Sequence, residues 1–134
     1  MKIPANTNYF IYENVNPHNR KTDDCYVRCL TKAFRIDYTV ILGALVGISL
    51  KTGYAINSKQ VIKAFMKQHG KEMLNQPRHD DNTKYTGKQF CDKFNKGTYV
   101  CYIGGHHITV IIDGKIHDIF DCSDKTIGNF WKVM

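Results

Sequence analysis

The amino-acid sequence predicts a single α+β domain spanning residues 1–134, on three observations. Helical periodicity of apolar residues fills much of residues 24–94. Runs rich in β-branched and aromatic residues fill the stretch from Thr98 onward. Between two of those runs sits Asp113-Gly114, the composition of a two-residue hairpin turn. Size and composition agree: 134 residues at 43% hydrophobic and 12% aromatic suit one buried core and exclude a disordered chain.

Residues 1–22 read as an extended lead-in, with a short strand at Tyr9–Tyr12 and a polar loop from Asn14 to Thr22. From Asp24 to Arg35, Val27, Leu30, Thr31 and Phe34 recur at helical spacing, with Asp23 or Asp24 as N-cap. A second helix, about 38–48, places Val40, Ile41, Ala44, Leu45 and Ile48 on one side. A third, Ser58 to His69, begins at a serine cap, buries Val61, Ile62, Phe65 and Met66, and stops at Gly70. A short fourth covers Thr86 to Phe94. Strands follow at 98–103, 108–112 and 115–121, with a last one near 129–133. Helices first and strands afterwards give the expected architecture: N-terminal helices packed on a C-terminal antiparallel β-sheet.

The longest mostly apolar stretch, Val40 to Leu50, is well short of the roughly 20 residues that span a bilayer. The first residues, MKIPANTNYF, contain no apolar core of a signal peptide. A soluble, cytoplasmic protein without membrane contact is therefore expected. The five cysteines, at 25, 29, 91, 101 and 122, are odd in number and form no CxxC pair, so reduced thiols are expected. A zinc set of Cys25, Cys29, His106 and His107 falls outside the usual ligand spacings, and no metal or cofactor is expected.

The net charge of +7 is concentrated in residues 51–96, which hold ten bases against four acids. Lys59, Lys63 and Lys67 recur every four residues, a stripe along one helical face. The stripe is either a solvated face or a surface for an acidic partner. It has no interleaved aromatics or arginines, which argues against nucleic acid.

Chemistry concentrates at the element junctions. Cys25 falls in the first turn of the first long helix, where free backbone N–H groups and the helix dipole favour a thiolate. His107 opens the second strand of the sheet after Gly104-Gly105. Asp121 ends the next strand, and a hairpin turning at Asp113-Gly114 sets residues 107 and 120 opposite each other. Nucleophile, base and orienting carboxylate can then meet where helix packs on sheet.

A helix-start cysteine, a strand-start histidine and a later strand-end acid resemble, in that order, the papain-like cysteine peptidase superfamily. Three blocks, NPHNRKTDDCYVRCLTKAF, QPRHDDNTKYTGKQF and GGHHITVIIDGKIHDIFDCSDKTIGNFW, look like those of small phage and Gram-positive bacterial proteins of that fold. The resemblance runs from about Asn16 to Trp131. It implies Cys25 as nucleophile, His107 rather than His106 as general base, and Asp121 as the group that orients the imidazole. It also implies an amide side chain six residues before the cysteine as an oxyanion donor. That position holds Asn19, shorter than the usual glutamine, with Asn16 as the nearby alternative. Asp24 stands directly before the cysteine, where such enzymes often have a small residue; it is compatible with a thiolate if it caps the helix or pairs with Arg20, Lys21 or Arg28.

The implied function is a thiol hydrolase, a cysteine peptidase or amidase working through an acyl-enzyme on a narrow protein substrate. The alternative is a non-catalytic phage or host-interaction protein that keeps the papain-like fold. It would bind an acidic partner through Lys59, Lys63 and Lys67. If the chain is phage-encoded, the expected compartment is the host cytoplasm.

Overall fold

Apolar spacing and capping chemistry set the helices in the computed structural model, which describes residues 2–134. The described residues form β1 (Phe10–Tyr12), α1 (Cys25–Phe34), α2 (Tyr38–Thr52), α3 (Lys59–Gln68), α4 (Gly87–Lys93), β2 (Thr98–Ile103), β3 (His107–Ile112), β4 (Lys115–Asp118) and β5 (Ile127–Lys132). The chain is thus α+β, with four helices and one five-stranded sheet. The Ser58 hydroxyl accepts from the Val61 N–H at 3.2 Å and starts α3. Thr86 and Gln89 form a reciprocal capping box at the start of α4. Among the described residues no helix is long and apolar enough to cross a membrane.

The strand order is β1-β4-β3-β2-β5. The β3–β4 hairpin turns at Asp113-Gly114, both at positive φ (48° and 76°), which matches the right-handed twist of the flanking strands. The sheet is mixed, in contrast to the expected antiparallel one. The N-terminal segment Phe10–Tyr12 runs along the outer edge of β4 in the same direction, pairing Phe10 with Ile116 and Tyr12 with Asp118. A lead-in strand can join an edge this way because the whole helical half of the chain serves as its crossover.

Alternation along the strands divides the core in two. Val100, Tyr102, Ile108, Val110 and Trp131 pack with α1, α2 and α3. Tyr99, Cys101, Ile103, Ile111 and Phe130 pack with Phe10 and with Phe90 and Cys91 of α4. All four expected core residues of α3 are buried. In α2 the burial is narrower than expected: Ile41, Leu45 and Ile48 face inward, whereas Ala44 is exposed and Val40 is 59% exposed. The helix is apolar around most of its circumference, so periodicity could not select its inner face.

Two glycines test this packing. An added Cβ at Gly47, inside α2, meets nothing within 4 Å; at Gly87 it would meet the Ser123 Cα and carbonyl oxygen at 2.9 Å. Gly47→Ala is expected to raise unfolding free energy by about 0.5–1 kcal/mol through helix propensity. Gly87→Ala is expected to lower it, and urea denaturation of the two variants measures both signs.

Candidate active site

The polar loop before α1 delivers Asp24 and Cys25 to the base of the sheet. Asp24 occupies the N-cap position, but its side chain makes no capping bond. Its carboxylate instead accepts from Arg28 Nε at 2.7 Å, Tyr38 Oη at 2.7 Å and Asn16 Nδ2 at 2.9 Å. The first-turn N–H groups at Cys25 are therefore left without a side-chain cap, next to the thiol. Helical spacing puts Arg28 one turn along α1, within reach of both Asp24 and β4.

Asp118 ends β4 and is 2% exposed. It is saturated with donors. Its Oδ1 accepts from Arg28 Nη1 at 3.0 Å and from the Ile119 N–H at 2.7 Å; its Oδ2 accepts from His107 Nε2 and from the Thr109 hydroxyl, both at 2.6 Å. With Nε2 donating to Asp118, Nδ1 is the ring nitrogen left free of the carboxylate, and Cys25 is near enough to raise the pKa of the imidazole. Phe120 packs against the His107 ring with centroids 4.6 Å apart.

Electrostatics follow from these contacts. Burial pulls the His107 pKa down, but hydrogen bonds to Asp118 and Cys25 and the negative charge of both outweigh it and raise the imidazole to about 9. Burial pushes the Asp118 carboxyl up, yet the His107 and Thr109 bonds and the imidazolium charge hold it below the usual 3.8. Asp24 is likewise held low against its burial by Arg28, Asn16 and Tyr38. The concern raised by an acid next to the cysteine is met by Arg28, whose single positive charge pairs with Asp24 and with Asp118.

All five cysteines are reduced and buried. Burial pushes the thiols of Cys29, Cys101 and Cys122 well up, and that of Cys91 to about 12. Cys25 alone lines both an inner pocket, with Arg28, Cys29, Thr109 and Asp118, and an outer depression of about 360 Å³. That depression is walled by Asp23, Tyr26, Asn57, Lys59 and His106.

The expected residues are thus placed as follows. Cys25 and His107 come together. His106 is exposed and lines only the outer depression. Asp121 is exposed, and its Oδ1 accepts from the Ser123 N–H at 2.9 Å; the carboxylate on His107 is Asp118. The reason is strand length and parity. The register Val110↔His117, continued toward the strand ends, sets Thr109 opposite Asp118, on the same face as His107. The strand then ends at Asp118, whose own carboxylate takes the Ile119 N–H. The signal was present: a lone carboxylate inside the apolar run IHDIF must find partners if that strand is buried.

Asn19 is exposed, at positive φ (54°), with its N–H donating to the Asn16 carbonyl. Asn16 is buried and committed, to Asp24 through Nδ2 and to the His18 N–H through Oδ1. The amide side chain that lines the depression beside Cys25 is Asn57, which the sequence reading passed over. His107, Asp118 and Cys122 place three donor atoms within 4.8 Å of one another, but a cation there would have to displace the 2.6 Å His107–Asp118 bond.

The bond between Asp118 and His107 is tested by titrating His107. Asp118→Asn is expected to lower its pKa by about one unit or more, read by NMR, while Asp121→Asn leaves it in place. Because folding raises the imidazole from 6.5 to about 9, its contribution to stability is complete below about pH 6.5 and is lost as pH rises through about 9. Asp118, depressed below 3.8, contributes above that value and loses its contribution as pH falls through the folded pKa. The destabilisation caused by His107→Ala is therefore expected to peak between about pH 4 and 6.5 and to shrink toward pH 9. Arg28→Ala, which takes the shared guanidinium from two buried carboxylates, is expected to cost about 3–5 kcal/mol in urea unfolding.

Compared with known protein families, curated proteins and solved structures, the chain matches none of them.

Proposed function

We propose that the protein is a thiol hydrolase, a cysteine peptidase or amidase of papain-like type, with Cys25 as nucleophile, His107 as acid and base, and Asp118 as the residue that orients the imidazole. One observation carries the reading. The imidazole is fixed through Nε2 on a buried, fully hydrogen-bonded carboxylate, and near it a helix-start thiol that raises its pKa lines a depression at the surface.

In this reading Cys25 and His107 exchange a proton to form a thiolate–imidazolium pair, which Asp118 supports. The thiolate attacks the carbonyl carbon of a peptide or side-chain amide. The oxygen of the tetrahedral intermediate is met by the uncapped Cys25 N–H, with Asn57 as the amide side chain at hand. The imidazolium gives its proton to the departing amine, leaving a thioester on Cys25. Water, deprotonated by the neutral imidazole, then releases the acid and restores the thiol. The depression beside Cys25 is open and small, which suits one segment of a protein substrate better than general proteolysis.

Alkylation by iodoacetamide, followed for each cysteine by mass spectrometry, tests the pair before any substrate is known. An ordinary thiol of pKa near 8.5 is only about 0.3% ionised at pH 6. Cys25 is expected to react far faster than the other four cysteines at that pH, and His107→Ala to slow it by about 100-fold. A rate that rises through pH 8.5 in both proteins sinks the hydrolase and leaves the non-catalytic reading.

A further inference from the structure

The lysine stripe noted in the sequence is not isolated from Cys25. The depression at the thiol shares Lys59 with a second one, of about 290 Å³, lined by Lys59, Lys63, Lys84 and Tyr102. That one in turn shares Lys63 and Met73 with a third, which is lined by Lys67, Lys71 and Trp131. The three form a line that starts at Cys25 and follows α3. Lys59, Lys63, Lys67 and Lys84 are exposed and, among the described residues, form no ion pair. Lys59 also lies over the Tyr102 ring, 5.5 Å from its centroid, while Lys71 is held by the Val133 carbonyl. Asp23 and Glu72 are the acids along the same line.

We propose that this line of depressions binds an extended acidic polypeptide segment and leads it to Cys25, so that the substrate class is a protein segment with carboxylates at alternate positions. The proposal rests on the hydrolase reading for its catalytic part. Lysines four apart on a helix advance by about 6 Å. Alternate residues of an extended chain advance by about 6.7 Å, with their side chains on one side. An acid at every second position therefore keeps pace with Lys59, Lys63 and Lys67. A nucleic acid fits less well: the aromatics along the line, Tyr26, Tyr102 and Trp131, are 6%, 7% and 1% exposed and offer no face for a base, and no arginine lines it.

The test uses a fluorescent alternating Glu-Ser dodecapeptide, its Lys-Ser counterpart and a single-stranded DNA oligomer of matching charge. Binding to the Cys25→Ala protein is read by anisotropy, with folding of every variant checked by thermal melting. The Glu-Ser peptide is expected to bind, and Lys59→Glu/Lys63→Glu/Lys67→Glu to weaken it by about tenfold or more at low salt. At saturation the same peptide is expected to slow alkylation of Cys25 in the wild-type protein. Binding that the triple reversal leaves unchanged overturns the proposal, as does unslowed alkylation or DNA that outcompetes the peptide. The two readings fail separately. A Cys25 reactivity that ignores His107 removes the hydrolase but not the groove, whereas a reactive Cys25 that the peptide neither finds nor shields removes only the groove.

Discussion

A buried row of alternating charge ties the domain together: Asp24, Arg28, Asp118 and His107, with the Cys25 thiol at its far end. Arg28 is the hinge of this row, because it is the cation that faces both carboxylates while itself 6% exposed. Removing charges from water is expensive, so each member is held only by the quality of its neighbours' hydrogen bonds. Asp118 meets that demand with four donors from three places: Arg28 on α1, His107 and Thr109 on β3, and its own following amide. The row thereby fixes how α1 sits against β3 and β4, and with it the position of the thiol relative to the imidazole.

The same row explains how an acid can stand directly before a cysteine at a helix start. Asp24 would oppose ionisation of its neighbour if it were free, or would cap the helix and consume its N–H groups. Bound sideways to Arg28, Tyr38 and Asn16 it does neither. The remaining thiols are silenced by burial, which leaves one sulfur poised between a polar interior and an open cleft.

Much of this was legible in the residues. Caps, glycine stops and alternation located every helix and strand, and the helix-start cysteine and strand-start histidine stood out by position. Four things were not legible. The carboxylate that meets His107 depended on where β4 stops, and the apolar Ile119 and Phe120 continue the strand pattern past the point where Asp118 ends it. The inner face of α2 was hidden by its nearly uniform apolarity. The parallel pairing of β1 left no local trace, since a three-residue edge strand carries too little pattern to name its partner. Asn57, the amide in the outer depression, comes from a loop whose nearness to α1 is purely tertiary.

That edge pairing has a kinetic meaning. Phe10 finds Ile116, and Cys25 finds a histidine held by Asp118, only after almost the whole chain has been laid out between them. Contacts so distant in sequence return their stability late, after the entropy of closing the intervening chain has been met. The helical half, with Val61, Ile62 and Phe65 in its core, draws on contacts nearer in sequence. A chain that stops short of Asp118 therefore holds Cys25 and His107 without the carboxylate that fixes the imidazole.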